Sequence, residues 1–267
     1  MQRQVYRSAL ILAALLGGLA VRPALAAGSA SHPSGDITGV WMAQEAYMHG
    51  TPLKPAPDLT PEIAALKARR AAAVAKGYVR GISNMLCQGR AGPAMSLIRS
   101  PFEIFEGFGR ITIIFEDETF AQPRTIYLRE KAHPADVFPS PNGHSIGHWE
   151  GKGAGRVLVV DTVGLNGRSG FPNDTPASTQ AHIVERFSVS PDGKVLSDLV
   201  TMTDPKSLRK PWVLTLKYDR RKDSEERMEV VCEPDLDAIK TLDLQALKDA
   251  DPDARTTDPA LKIKPGG

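Results

Sequence analysis

The chain has 267 residues, 42% of them hydrophobic, and a formal net charge of +2 at pH 7. The apolar fraction supports a real core, and the near-neutral charge disfavours a nucleic-acid or other polyanionic partner. No internal repeat appears.

The chain opens with "MQRQVYR", basic, then "SALILAALLGGLAV", apolar, then Ala24-Leu25-Ala26, a small-x-small cleavage site. That is the pattern of a secretory signal peptide over residues 1–26. The apolar run is shorter than the roughly 20 residues of a membrane span. The residue directly after the cleavage site, Ala27, is not a cysteine, so a lipoprotein anchor is not expected. The expectation is therefore an exported protein without a stable membrane anchor, periplasmic in a Gram-negative host. Residues 27–36 read as a flexible leader, and 37–235 as one domain.

"ITGVWMA" predicts a first strand carrying Trp41. The helix signal lies over 61–76: Thr60 as cap, Pro61 in the first turn, Glu62 at the positive end, Gly77 as stop. Its apolar stripe (Ile63, Leu66, Ala73, Val74) is thin, so it should lie on the outside of something larger. From residue 95 the period changes to two. "SLIRSPFEIFEGFGRITIIFEDE" gives two strands, "RTIYLRE" one, "HSIGHWE" and "RVLVVDTVGL" a hairpin. "AHIVERFSV" and "KVLSDLVTMTD" flank the turn Ser190-Pro191-Asp192-Gly193, and "PWVLTLKYDRR" and "RMEVVCE" close the series. About ten short strands without intervening helices predict an antiparallel meander. Closure into a barrel of about 8–10 strands removes the edges and leaves room for one small ligand; a β-sandwich is the alternative. Residues 236–267 read as a short helix and a charged, disordered end.

Cys87 and Cys232 are the only cysteines. In an exported protein they most economically form one disulfide, worth roughly 4–5 kcal/mol in the chain-entropy picture. A catalytic thiol is the alternative.

The stretch "PNGHSIGHWEGKGAGRVLVVDTVGLNG" concentrates chemistry. His144 and His148 have the spacing of a helical metal clamp. Gly143, Gly147 and the alternation argue for a strand, where i and i+4 lie about 13 Å apart, so no metal site is assigned. Pairing about Gly153 places Ser145, Gly147, Trp149, Val157, Val159 and Asp161 on one face, with Gly147 leaving space above the sheet. Asp161, an acid among apolar neighbours, is then a candidate site or a carboxylate held structurally. A one-residue slip would bring His144 onto its face instead. Glu185, with Ile183 and Phe187, is a second inward acid, which an internal arginine such as Arg99 or Arg129 would pair. His182 follows the long loop 164–180, a candidate lid, and Tyr127 offers a phenol. No phosphate loop, nucleotide pattern or nucleophile elbow occurs, and nothing requires a cofactor.

Together "NGHSIGHWEG", "LVVDTVGLN", "HIVERF", "DPKSLRKPW" and "EVVCE" resemble a widespread family of secreted proteobacterial and acidobacterial proteins without an assigned activity. The resemblance covers roughly residues 37–235. The longer "GKGAG" stands where the family has a tight Gly-Asp turn. The layout is similar to lipocalin-type (calycin) barrels. The resulting expectation is an exported enzyme performing cofactor-free acid–base chemistry (lyase, decarboxylase or isomerase) on a small hydrophobic, plant-derived aromatic. Asp161 or Glu185 would be the base. His144 and His182 would move protons at the rim, and Tyr127, Trp149, Ser145 and Arg99 would hold the substrate. The alternative is a non-catalytic carrier of a hydrophobic ligand; a homodimer is compatible with either.

Overall fold

The computed structural model describes residues 32–44, 53–75, 101–116, 123–167, 170–172 and 175–222. The signal peptide, Arg99, both cysteines, the strand over "RMEVVCE" and the C-terminal helix lie outside these residues.

Alternation dictates the architecture. In β9 (His182–Val189) every second residue from Ile183 is buried, and in β11 (Trp212–Arg220) every second residue from Trp212 is. Such strands need a core on one side only. With β1 (Gly39–Ala43), β2 (Phe102–Gly107), β3 (Arg110–Phe115), β4 (Arg124–Tyr127), β5 (His144–Glu150), β6 (Val157–Val163) and β10 (Val195–Thr203), they form a closed nine-stranded barrel. Its order is β1-β11-β10-β9-β6-β5-β4-β3-β2, with β1 pairing back onto β2. A mainly β, closed barrel within the expected strand count is thus present. Its interior holds Trp41, Phe102, Ile104, Ile111, Ile126, Leu158, Ile183, Leu196 and Tyr218, all fully buried.

Three local expectations are corrected. The barrel is mixed, because β4 and β5 run parallel. Parallel neighbours cannot be joined by a tight turn, so 128–143 carries the chain back along the outer wall. The small hairpin of β7 (Gly170–Phe171) and β8 (Thr175–Pro176) stands in the long connection read as a loop. Finally, the β5–β6 register is shifted by one residue: Ser145 faces Thr162, Gly147 faces Val160 and Trp149 faces Leu158. The connection runs from Glu150 to Val157 through a single 3-10 turn at Gly153–Gly155, one residue longer than the predicted five. This register buries Leu158 and Val160 and leaves Asp161 outside, half-buried, which spares the desolvation of a carboxylate. The space expected above Gly147 is filled as well: a Cβ there would meet Ile126 Cγ2 at 2.7 Å.

Both barrel ends are covered. At one end Ser34 and Arg156 join 32–38 to the strand turns, and Ile37 is buried. At the other, Leu53, Leu165, Phe171, Ala177 and Leu208 are buried beneath the connections. The helix α1 (Pro61–Ala75) lies there, outside the barrel as expected, with Leu66 buried and Lys67 bonded to Thr175. Among the described residues no helix is long and apolar enough to cross a membrane.

Candidate functional site

The barrel wall divides the expected site residues into two clusters, because neighbours in sequence point to opposite faces.

The first cluster is interior. Arg124 opens β4 and shares inward parity with Ile126, so its guanidinium enters the barrel. Its Nη1 donates to Glu185 Oε1 at 2.8 Å, and its Nη2 donates to Glu185 Oε2. Nη2 also reaches Thr162 Oγ1 at 3.1 Å, and Ser145 Oγ lies 2.8 Å from that hydroxyl. The internal partner of Glu185 is therefore Arg124, not Arg129, whose side chain lies against Gly109. Both Glu185 oxygens are committed to this bidentate pair. Burial alone would lower the Arg124 pKa; Glu185 first, with Asp198 and Tyr218, offsets this and holds it above its usual value.

Asp198 completes the cluster. It sits on β10, diagonal to Glu185 on the same inner face. It is 1% exposed, and neither carboxylate oxygen has a hydrogen-bond partner among the described residues. Arg124 Nε is also unpartnered. Burial, then the charge of Glu185, pushes the Asp198 pKa well above the usual carboxylate range. Arg124 and the Arg186 backbone N–H oppose this, the latter without reaching ordinary hydrogen-bond geometry.

The second cluster is on the outer wall. Tyr127, His144, Asp161 and His182 come from β4, β5, β6 and β9, four adjacent strands. The returning segment 128–143 lays Glu130 and His133 over them. His182 Nε2 is 2.8 Å from Asp161 Oδ1, and His133 Nε2 is 3.2 Å from the same oxygen. His133 Nδ1 meets His144 Nδ1 at 2.9 Å, and His144 Nε2 meets Glu130 Oε2 at 3.2 Å. Tyr127 stacks on His144 with ring centroids 5.1 Å apart. Among the described residues no group of three or more His, Cys, Asp or Glu is arranged to hold a metal ion.

The remaining expected residues fall elsewhere. Trp149 sits under the Arg156 guanidinium, 3.9 Å from its ring centroid, near the opposite barrel end. His148 is 59% exposed beside Glu150. Sequence reasoning missed Arg124, Asp198, Glu130 and His133. For the two interior groups a signal existed: Ile126 fixes the parity of Arg124, and Leu196, Val200 and Met202 fix that of Asp198. Glu130 and His133 lie in irregular backbone, where parity has no meaning.

No protein-family model matches the sequence, and no curated protein is significantly similar to it. Among solved structures, the chain is similar to a secretary abundant heat soluble (SAHS) protein from Ramazzottius varieornatus. The match has 10% identity and a TM-score of 0.32, and covers 71% of this chain and 100% of that one. Likeness at this level carries no functional argument.

Proposed function

We propose that this protein is a ligand-binding barrel, a non-catalytic carrier whose interior polar cluster fixes the orientation of a small hydrophobic molecule. The observation that carries this reading is the unsatisfied set inside the barrel: both Asp198 oxygens and Arg124 Nε. Buried polar atoms without partners are costly, and a bound molecule that supplies them relieves that cost. Ligand entry would require the connection bearing β7 and β8, with Leu165 and residues 175–181, to open. The test is native mass spectrometry of the purified protein, with solvent extraction of whatever it retains. A reproducible small-molecule adduct that Asp198→Ala loses supports the carrier; a protein that emerges and stays empty after exposure to lysate metabolites sinks it.

A second reading is acid–base catalysis of the lyase, decarboxylase or isomerase kind. The observation favouring it is the meeting of Tyr127, His144, Asp161 and His182 with His133. Asp161 orients His182, which is 45% exposed, so the imidazole has the placement of a general base. The substrate would then be met at the outer wall and not inside the barrel. Unchanged turnover in both Asp161→Asn and His182→Ala would remove this reading. Export through residues 1–26, membership of the secreted family, the Cys87–Cys232 disulfide and a homodimer belong to the same proposal. N-terminal sequencing of the mature protein, its mass with and without reductant, and sedimentation check them.

A further inference from the structure

We infer that the ligand of this barrel carries a positively charged, hydrogen-bond-donating head, a hydrophobic amine, and that Asp198 receives it. The inference rests on the ligand-binding reading above and specifies its chemistry. Three observations support it. The terminal nitrogens of Arg124 are already taken by Glu185 and Thr162. An anionic ligand would therefore find no unpaired cation in the cluster, because the guanidinium charge is already matched by the Glu185 carboxylate. With Asp198 neutral the buried cluster is balanced, one guanidinium against the Glu185 carboxylate. An anionic ligand would add an unmatched negative charge in a medium that screens poorly, whereas an ammonium that displaces the Asp198 proton leaves the cluster balanced. Lastly, the open valences are those of an acceptor: two unpartnered carboxylate oxygens match the N–H groups of an ammonium.

Burial and Glu185 favour the neutral acid at Asp198 in the empty barrel. The proton balance follows. An ammonium that docks on Asp198 keeps its own protons, and the carboxyl gives up one proton to solvent as the ion pair forms. Uptake of a cation thus releases up to one proton per ligand, and affinity rises with pH until the empty protein has lost that proton.

The test uses the full chain and three probes of one skeleton: 2-phenylethylammonium, 2-phenylethanol and phenylacetate. Isothermal titration calorimetry in buffers of different ionisation enthalpy reads affinity and proton release together. The expected order is amine, then alcohol, then acid, with at least about tenfold between amine and acid. Proton release is expected with the amine alone. Asp198→Asn, near-identical in shape, should abolish the amine's advantage and its proton release while leaving the alcohol within about threefold. Tightest binding of the acid, or equal losses of all three probes in Asp198→Asn, overturns the assignment of Asp198. Binding of the alcohol or acid without the amine leaves the carrier reading standing and removes this one. Binding of none, with no retained adduct, removes both.

Discussion

At the scale of the residue, the barrel interior is decided by one ion pair and one unpaired acid. Arg124 and Glu185 are 3% and 1% exposed, so neither tolerates the loss of the other. Glu185→Ala should cost about 3–5 kcal/mol in urea unfolding, because a guanidinium is left buried without its counter-charge. Replacing both together, Arg124→Met with Glu185→Leu, should cost less than that single change. Asp198 acts in the opposite sense. Its folded-state pKa lies well above 3.8, so between that value and the raised one the folded state binds a proton that the unfolded state does not. Stability from this group is present below the unfolded value and is lost as pH rises through the folded one. Asp198→Asn should therefore flatten the fall in stability over this range. Urea midpoints of both proteins, compared from about pH 4 to about pH 8, should diverge in favour of the variant as pH rises.

At the scale of the element, two long connections are fastened over the barrel: the segment 128–143 and the connection bearing β7 and β8. The segment 128–143 exists because β4 and β5 are parallel. It is tied to the wall by Ser140, whose N–H donates to Gly164 O and whose own carbonyl accepts from Asn166. Val137 crosses above Gly164, where any Cβ would fall within 2.4 Å of it. The cap at the end bearing β7 and β8 is pinned by Asp204, which is 2% exposed. Its carboxylate accepts from Ser178 N at 2.6 Å, from Ser178 Oγ at 2.7 Å and from Lys206 N at 3.0 Å. Asp204→Ala should loosen this cap by about 2 kcal/mol. Hydrogen exchange should then quicken over residues 170–181 while β10 and β11 keep their protection.

At the scale of the whole molecule, closure is the decisive event. Joining β1 to β11 removes the last open edges of the sheet. Arg220 fastens that seam. It donates to the carbonyls of Gly193, Thr38 and Asp36 at 2.6–2.7 Å, and its guanidinium lies 4.0 Å from the centroid of the Trp41 ring. Arg220→Ala should lower the thermal midpoint by several degrees, corresponding to roughly 3 kcal/mol, in a single transition without an intermediate. Two separated transitions would show that the seam and the barrel wall are independent units.

The alternation of "HIVERFSV", "VLSDLVTMT" and "WVLTLKYDR" was enough to declare inward and outward faces, because a strand repeats every two residues whatever surrounds it. Composition and this period together determined strands, a barrel and the outward helix. The choice between the two faces of a hairpin was another matter. It turned on one residue of loop length, and only the packed barrel, with Leu158 and Val160 inside, settled that Asp161 points out. Which arginine meets Glu185, and which loop brings His133 to Asp161, depended on contacts across 61 and 28 residues of chain. Periodicity is local and such contacts are not, so the elements could be read along the sequence, while their partners were decided by the closure of the sheet.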